Sequence, residues 1–211
     1  MSTDTQASDT TTELPHPGTW TIDPAHSSVN FSARHLGLSK VRGQFGEFSG
    51  TIEVGSDDHL QSGVNVAIHT NSVNTGSEQR DGHLRSPDFL DVANHPTMDF
   101  AGRSVERHGE DYKLSGDLTI RGTTQPVVLD VTFEGVGPDP FSGGQRMAFS
   151  GVTTINRDDF GLTWSAPMET GQILVGKKVT IELDIAATDA KVEPQEEIQD
   201  DAASPQVEGN L

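Results

Sequence analysis

Apolar and polar residues alternate one by one through much of residues 20–187, and this period constrains the fold more than any other feature of the chain. The clearest run sets Val127, Leu129, Val131 and Phe133 against Asp130, Thr132 and Glu134. Residues 64–69, 117–121 and 179–186 repeat the period. Successive side chains of a β-strand point to opposite faces, so such runs predict strands with one buried and one solvated face, which is typical of antiparallel sheets.

Turn-forming residues divide these runs into about eight or nine strands. Gly, Asp and Pro cluster between the apolar runs, at 55–58, 108–111, 137–140 and 143–144. Phe45 and Phe48 are three residues apart, which is out of phase for a flat strand, so a bulge near Gly46 would bring both rings to one side. An all-β chain with this strand spacing predicts a sandwich or an up-and-down antiparallel barrel.

One segment, residues 76–92, breaks the alternation and predicts a short helical excursion. Thr75 and Glu78 have the spacing of a capping box, and Ser86-Pro87 has the form of a second short helix start. The neighbouring residues 89 and 90 would give that second helix its apolar face. In a barrel, such an excursion would cover one open end.

Composition excludes several classes of site and partner. The 211 residues contain no cysteine, which excludes disulfides, a thiolate nucleophile and Cys-based metal centres. Lys and Arg number 14 against 32 Asp and Glu, giving a net charge of −18. This charge argues against nucleic acid as a partner and against a stable electrostatic anchor on anionic membranes, so we expect at most transient membrane contact.

Much of the acidity lies in two tails that we expect to be disordered. Residues 1–17 contain three acidic residues and no Lys or Arg, and residues 188–211 contain seven acidic residues and one Lys. Neither stretch has enough large apolar residues to offset the entropy of ordering, so residues 18–187 are predicted to form the folded domain. Residues 1–17 also lack the basic and apolar regions of a secretory signal, which predicts a cytoplasmic protein.

A search for catalytic motifs favours binding over catalysis. The chain has no His-Glu-x-x-His, Gly-x-Ser-x-Gly, phosphate-binding P-loop or dinucleotide-binding motif. Its eight histidines include no pair at the i,i+2 or i,i+4 spacing that positions metal ligands, so neither a metal nor another cofactor is predicted. An enzyme using His26, His83 or a histidine-bound metal stays open as the less favoured alternative.

A polar group on the predicted excursion, Arg80, Asp81 and His83, has two interpretations. It could bind an anionic head group at the rim of a barrel, or it could tie the helix to that rim by salt bridges and hydrogen bonds. The pattern of charges fits both, and we expect the tie slightly more than the head-group site.

Several motifs together resemble the YceI family, lipid-binding proteins with a lipocalin-like barrel. They occur in the family's order across residues 19–187: Trp20-Thr-Ile-Asp-Pro-Ala-His-Ser27, Phe31-Ser-Ala-Arg-His-Leu-Gly37, Val41-Arg-Gly-Gln-Phe45, Ser72-Val-Asn-Thr-Gly76, Arg80-Asp-Gly-His-Leu-Arg-Ser-Pro-Asp-Phe-Leu-Asp91, Gly116-Asp-Leu-Thr-Ile-Arg-Gly122, Asn156-Arg-Asp-Asp-Phe-Gly161 and Val175-Gly176. Each motif alone is weak, whereas the ordered set is specific. The two tails match nothing in the family.

The resemblance implies an extended eight-stranded antiparallel lipocalin-like barrel whose tunnel binds a polyisoprenoid, such as an isoprenoid quinone or a prenyl phosphate, or a similar fatty amphiphile. The implied function is non-enzymatic carriage or storage of that lipid, with stress response as its setting. A filled barrel that acts as a stress-protective or interaction module is the alternative. Exposed edges of an imperfectly closed barrel would permit a homodimer.

The residues predicted to contact the ligand are mainly apolar side chains on or beside the predicted strands and on the excursion. They are Phe31, His35, Phe45, Ile68, Phe89, Met98, Phe100, Leu118, Val131, Phe133, Phe149, Leu162 and Trp164. By alternation, His35 shares a face with Phe31, which makes it the candidate polar group inside the tunnel or at its mouth. Arg80, Asp81 and His83 are the candidates for a head-group or rim site, and no catalytic residue is predicted.

Overall fold

The computed structural model describes residues 14–56, 60, 62–141, 143–165 and 174–189. The predicted tails, 1–17 and 188–211, lie outside the described residues except at 14–17 and 188–189. The prediction that these tails are disordered therefore stays a prediction.

Eleven strand segments and one α-helix make up the regular structure of the described residues. The helix, α1, spans Glu78–Arg85. The strand segments are β1 (Gly18–Ile22), β2 (Ser28–His35), β3 (Ser39–Phe45), β4 (Phe48–Val54), β5 (Gly63–His69), β6 (Val73–Asn74), β7 (Thr97–His108), β8 (Asp111–Ile120), β9 (Thr123–Pro138), β10 (Gln145–Asn156) and β11 (Val175–Thr188). At eight residues, α1 is too short to cross a membrane, and no other described helix is long and apolar enough.

These segments form a closed antiparallel barrel of eight strands, because three barrel strands are interrupted along their length. β1 continues into β2 across a 3-10 turn at Pro24–His26, β3 continues into β4, and β5 continues into β6 across a 3-10 turn at Thr70–Ser72. The first barrel strand pairs with β11 on one side and with the β3–β4 strand on the other. The remaining strands pair in chain order, which confirms the predicted fold class.

The break between β3 and β4 turns two rings to the same side. β3 ends at Phe45 and β4 begins at Phe48, so Gly46 and Glu47 lie between the two segments. Phe48 is buried in the core, and Phe45 packs against it from the same side. The predicted change of phase near Gly46 is therefore confirmed.

The predicted helical excursion is shorter than expected, and two details of its prediction are wrong. Ser77 is the N-cap and makes no side-chain cap bond, while the hydroxyl of Thr75 donates to Asp81 in place of a capping box. Residues 86–96, all of them described, form turns and not the second helix predicted there. The amides of Leu90 and Val92 instead return to the carbonyls of Leu84 and Arg85, so the last turn of α1 is satisfied by a wrapped loop.

The two ends of the barrel differ, and we name them by the segments they carry. The upper end carries the β7–β8 turn, the β9–β10 loop and the last residues of β11. The lower end carries α1 and the 3-10 helix Arg157–Phe160. Since β7 runs from lower to upper and β8 returns, the position of a residue along these strands gives its depth in the barrel.

Candidate functional site

A cavity of about 240 Å³ lies inside the barrel. All eight barrel strands contribute to its lining, and most of the lining residues are aliphatic or phenylalanine. None of the described lining residues is Asp, Glu, Lys, Arg or His. The volume lies just below the range of about 300 to 1,000 Å³ that is usual for small-molecule sites. Because a buried charge without partners is costly, this lining suits an uncharged apolar chain.

Nine of the thirteen predicted ligand-contacting residues line this cavity. They are Phe31, Phe45, Ile68, Met98, Phe100, Leu118, Val131, Phe133 and Phe149. All nine lie on strands at inward-facing positions, which is where period-two reasoning is reliable. Their contact with a ligand stays a prediction.

Two glycines set the position of two of these rings. Gly43 lies opposite Phe31 across the β2–β3 pair, and a Cβ added there would come within 2.4 Å of the Phe31 ring. A Cβ at Gly116 would come within 2.5 Å of the Phe100 ring. Each ring therefore lies against bare backbone of a neighbouring strand. Sequence reasoning missed this pairing, although a glycine inside a strand signals a close approach.

The lower end of the barrel is closed by buried apolar residues. Val73, Leu90, Phe160 and Leu162 belong to the same core cluster and are at most 8% exposed. The rings of Phe89, His83 and Trp164 contact one another in edge-to-face and tilted arrangements, with ring centroids 4.6 to 5.3 Å apart. The expectation that the excursion covers an open end agrees with this arrangement.

Three predicted ligand residues, Phe89, Leu162 and Trp164, lie in this lower closure and are not among the described residues that line the cavity. Their contact with a ligand therefore stays a prediction that the described lining does not support. All three are in loops, where alternation gives no direction for a side chain. Their apolar character reflects packing between the excursion and the segment that follows β10.

His35 is also absent from the described lining, so its role as the polar group inside the tunnel or at its mouth stays a prediction. It is the last residue of β2 and pairs with Ser39 across the β2–β3 turn. On its other side the β2–β11 register shifts between Val175 and Val179. His35 keeps the parity of Phe31, but its pairing with β11 is irregular.

The group Arg80, Asp81 and His83 ties α1 to its surroundings. Arg80 donates through Nε to the hydroxyl of Thr75 at 2.6 Å and through an amino group to its carbonyl at 2.8 Å. Asp81 is buried and accepts from the amide of Thr75 at 2.9 Å. His83 contacts Asp88 at 3.0 Å. None of the three is among the described lining residues, so these contacts match the structural interpretation of the group.

Arg157 is a buried cation that sequence reasoning missed. It is 3% exposed and donates to the carbonyls of Leu162, Val175 and Gly176. Burial is the main influence on its guanidinium and lowers the pKa, which the nearby Asp158 carboxylate partly offsets. Arg157 therefore joins the segment after β10 to the start of β11, and so holds the lower closure in place.

At the upper end, residues 14–17 directly precede β1. Leu14 and Pro15 line the cavity. Nε2 of His16 lies 2.7 Å from a carboxylate oxygen of Asp189. A hydrogen bond to the Pro17 carbonyl and the contact with Asp189 raise the pKa of His16. Burial of Asp189 opposes ionisation, but hydrogen bonds from the Gln145 amide and from His16 outweigh it and lower the pKa of this carboxyl.

We searched the described residues for side chains that could bind a metal ion together. There, no group of three or more His, Asp or Glu is placed to hold a metal ion. His26, named in the enzyme alternative, contacts Asp23 at 2.7 Å in an exposed turn. The chemistry that this site offers is apolar binding.

Sequence comparisons place the chain among known proteins. A family model described as a YceI-like domain matches residues 20–187. A UPF0312 protein of Pectobacterium atrosepticum is 41% identical over 138 residues, which cover 65% of this chain and 71% of that protein. A UPF0312 protein of Staphylococcus aureus is 37% identical over 163 residues, which cover 77% of this chain and 93% of that protein.

Solved structures share the barrel. A YCEI protein of Campylobacter jejuni matches with a TM-score of 0.63 and 28% identity, covering 75% of this chain and 90% of that one. BcnA of Burkholderia cenocepacia matches with a TM-score of 0.69 and 23% identity, covering 79% and 99%. A polyisoprenoid binding domain from Saccharophagus degradans matches with a TM-score of 0.58 and 18% identity, covering 82% and 99%. At these identities, the last two show a shared fold alone.

Proposed function

Because this chain belongs to the YceI-like domain family, we propose that it binds a polyisoprenoid or a similar amphiphilic lipid inside its barrel, and carries or stores that lipid without changing it chemically. Isoprenoid quinones and prenyl phosphates are the candidate classes. The observation that carries the proposal is the cavity of about 240 Å³, whose described lining is apolar and without charge. The same cavity argues against the alternative of a filled barrel.

The energetics of apolar burial support binding of a chain. Each buried methylene contributes about 0.8 kcal/mol, so ten of them contribute about 8 kcal/mol, which corresponds to micromolar affinity before ordering costs. Such burial hardly distinguishes one hydrocarbon chain from another. Selectivity would then depend on the width of the bore and on polar groups at its mouth.

The comparisons add support of a limited kind. The Saccharophagus degradans domain is described as polyisoprenoid binding, and it has the same barrel. The enzyme alternative gains nothing from the described site, since His26 and His83 contact carboxylates elsewhere and neither is among the lining residues. A binding role is therefore the function that the site favours.

Two measurements test the proposal. The purified protein is extracted with organic solvent, and the extract is analysed by mass spectrometry for prenyl lipids. The extracted protein is then titrated with decylubiquinone, a short-chain quinone, by isothermal calorimetry. We expect a prenyl lipid in the extract and one binding site with micromolar affinity. Absence of both the lipid and the binding would contradict the proposal.

A further inference from the structure

The two sides of the upper end are filled to different degrees. On the side of β1, β10 and β11, Trp20, Met147 and Ala187 are completely buried and are not among the described lining residues. On the opposite side, the pairing of β5 with β7 stops at Asn65 and Ala101, while β7 continues to pair with β8 up to the end of the hairpin. At the upper end the cavity is therefore lined by residues of the β7–β8 hairpin and by Leu14 and Pro15 in front of β1.

The lining on this side includes Val64, Val105 and Tyr112. Tyr112 is the second residue of β8 and the single tyrosine of the chain. It is half-buried, and its hydroxyl makes no hydrogen bond in the described structure. This hydroxyl is not among the buried unpartnered atoms of the described residues, so it keeps contact with water when no ligand is bound. A ligand that covers it would cost free energy unless a ligand atom accepts its hydrogen bond.

Among the described lining residues of β5, β7 and β8, the opposite end of the cavity offers no polar side chain. Its deepest described residues on β5, β7 and β8 are Ile68, Met98 and Ile120, all at most 9% exposed. Beyond them lies the apolar closure formed by the residues around Leu90 and Phe160. A polar head group placed there would lose its hydration without compensation.

We infer that the ligand lies in one orientation, with its polar head at the upper mouth accepting a hydrogen bond from Tyr112 and its apolar tail pointing to the closed lower end. This inference rests on the proposed lipid binding and adds the class of head group. The head must present an acceptor oxygen that a phenol can reach, such as a carbonyl. It also places the head-group site at the end of the barrel opposite to Arg80, Asp81 and His83.

The test compares Tyr112→Phe with the wild type, using two probes that share a decyl chain and a six-membered ring. Decylubiquinone carries acceptor oxygens and decylbenzene carries none. Both are measured by displacement of N-phenyl-1-naphthylamine fluorescence. We expect Tyr112→Phe to weaken decylubiquinone about 3- to 10-fold, which is the effect of one hydrogen bond, and to change decylbenzene less than 2-fold. Phe100→Leu, a change deeper in the wall, serves as the control and should affect both probes alike.

Orientation has a separate readout, because the chain has two tryptophans, one towards each end of the barrel. Trp20 belongs to β1 at the upper end, and Trp164 lies in the lower closure. A quinone ring quenches tryptophan fluorescence at short range. In the Trp164→Phe variant, bound decylubiquinone should strongly quench the fluorescence of Trp20, the remaining tryptophan. The quenching of Trp164 is obtained by subtracting the variant signal from the wild-type signal, and it should be weak.

The outcomes separate this inference from the function on which it rests. If the wild type binds neither probe, the proposed function itself is overturned. If both probes bind and Tyr112→Phe weakens them equally, or weakens neither, the role of Tyr112 is overturned while lipid binding stands. Stronger quenching of Trp164 than of Trp20 would overturn the orientation.

Discussion

Gly151 is the one glycine among the described residues that line the cavity, and it offers a direct way to fill the bore. It lies two residues from Phe149 on β10, so a side chain at this position would point to the same inward face. A Cβ there would meet two atoms of Leu183 at 3.7 Å and the carbonyl oxygen of Asp130 at 3.8 Å, which are ordinary contacts. The wall therefore accepts a Cβ at this position without moving.

The expected effect grows with the size of the new side chain. Each carbon added at Gly151 displaces about one carbon of the ligand, and a buried methylene contributes about 0.8 kcal/mol. Gly151→Ala should therefore weaken decylubiquinone about 4-fold, and Gly151→Leu, with four added carbons, about 200-fold. Stability should rise or stay the same, because the new side chain is buried in an apolar cavity and the unfolded chain loses freedom.

The assay pairs calorimetric titration with urea unfolding for the series Gly151→Ala, Gly151→Val and Gly151→Leu. Gly137 on β9 supplies the control, since a Cβ there would meet no atom within 4 Å and the residue is not among the described lining. The same substitutions at Gly137 should leave binding unchanged. Undiminished affinity in Gly151→Leu would show that the ligand lies elsewhere, and a large loss of stability would show that the bore is already full.

Three further predictions concern the segments that close the ends. Asp81→Ala removes the acceptor for the amide and hydroxyl of Thr75 and should cost about 2 kcal/mol in urea unfolding; an unchanged midpoint would contradict the role given to α1. Arg157→Met leaves three carbonyls without their donor and should cost about 3 kcal/mol by the same assay, with Arg157→Lys between it and the wild type. The His16–Asp189 pair should stabilise the fold by no more than about 1 kcal/mol, because His16 is 47% exposed. Since the folded state raises the pKa of His16, its contribution is full below the ordinary histidine value and is lost as the pH rises through the raised one. The folded state lowers the pKa of Asp189, so the contribution of this carboxylate to stability is lost as the pH falls through the lowered value. His16→Gln should therefore be destabilising near pH 5.5 and neutral near pH 8.5 in urea unfolding.

Much of the barrel was predictable because its strands bury one face and expose the other. The run 127–133 shows why: its odd-numbered residues Val127, Leu129, Val131 and Phe133 all reach the cavity. A change of phase was readable as well, since Phe45 and Phe48 could both point inward only if the chain broke between them. Where a strand is regular, sequence alone fixes which residues face the bore.

The predicted ligand-contacting residues that do not line the cavity lie in loops or at the end of a strand. Trp164 and Leu162 follow β10 in a loop, so nothing in their spacing indicates a direction. His35 keeps the right parity, but the register shift in β11 opposite it ends the regular pairing. The capping box at Thr75 is wrong because Asp81, four residues into α1, competes for the hydroxyl.

A barrel of eight strands has an interior that side chains can just fill, so the persistence of a cavity requires a cause. Phenylalanine would be expected to close the bore, yet Phe31 and Phe100 lie against Gly43 and Gly116 on neighbouring strands. Glycine in a strand costs stability, since it packs no side chain. Because Gly43 and Gly116 have no side chain, the rings of Phe31 and Phe100 fit against the wall, and the centre of the cavity stays open. The strands thus form an apolar wall, Gly43 and Gly116 leave space for a cavity, and Tyr112 provides a polar group at its upper end.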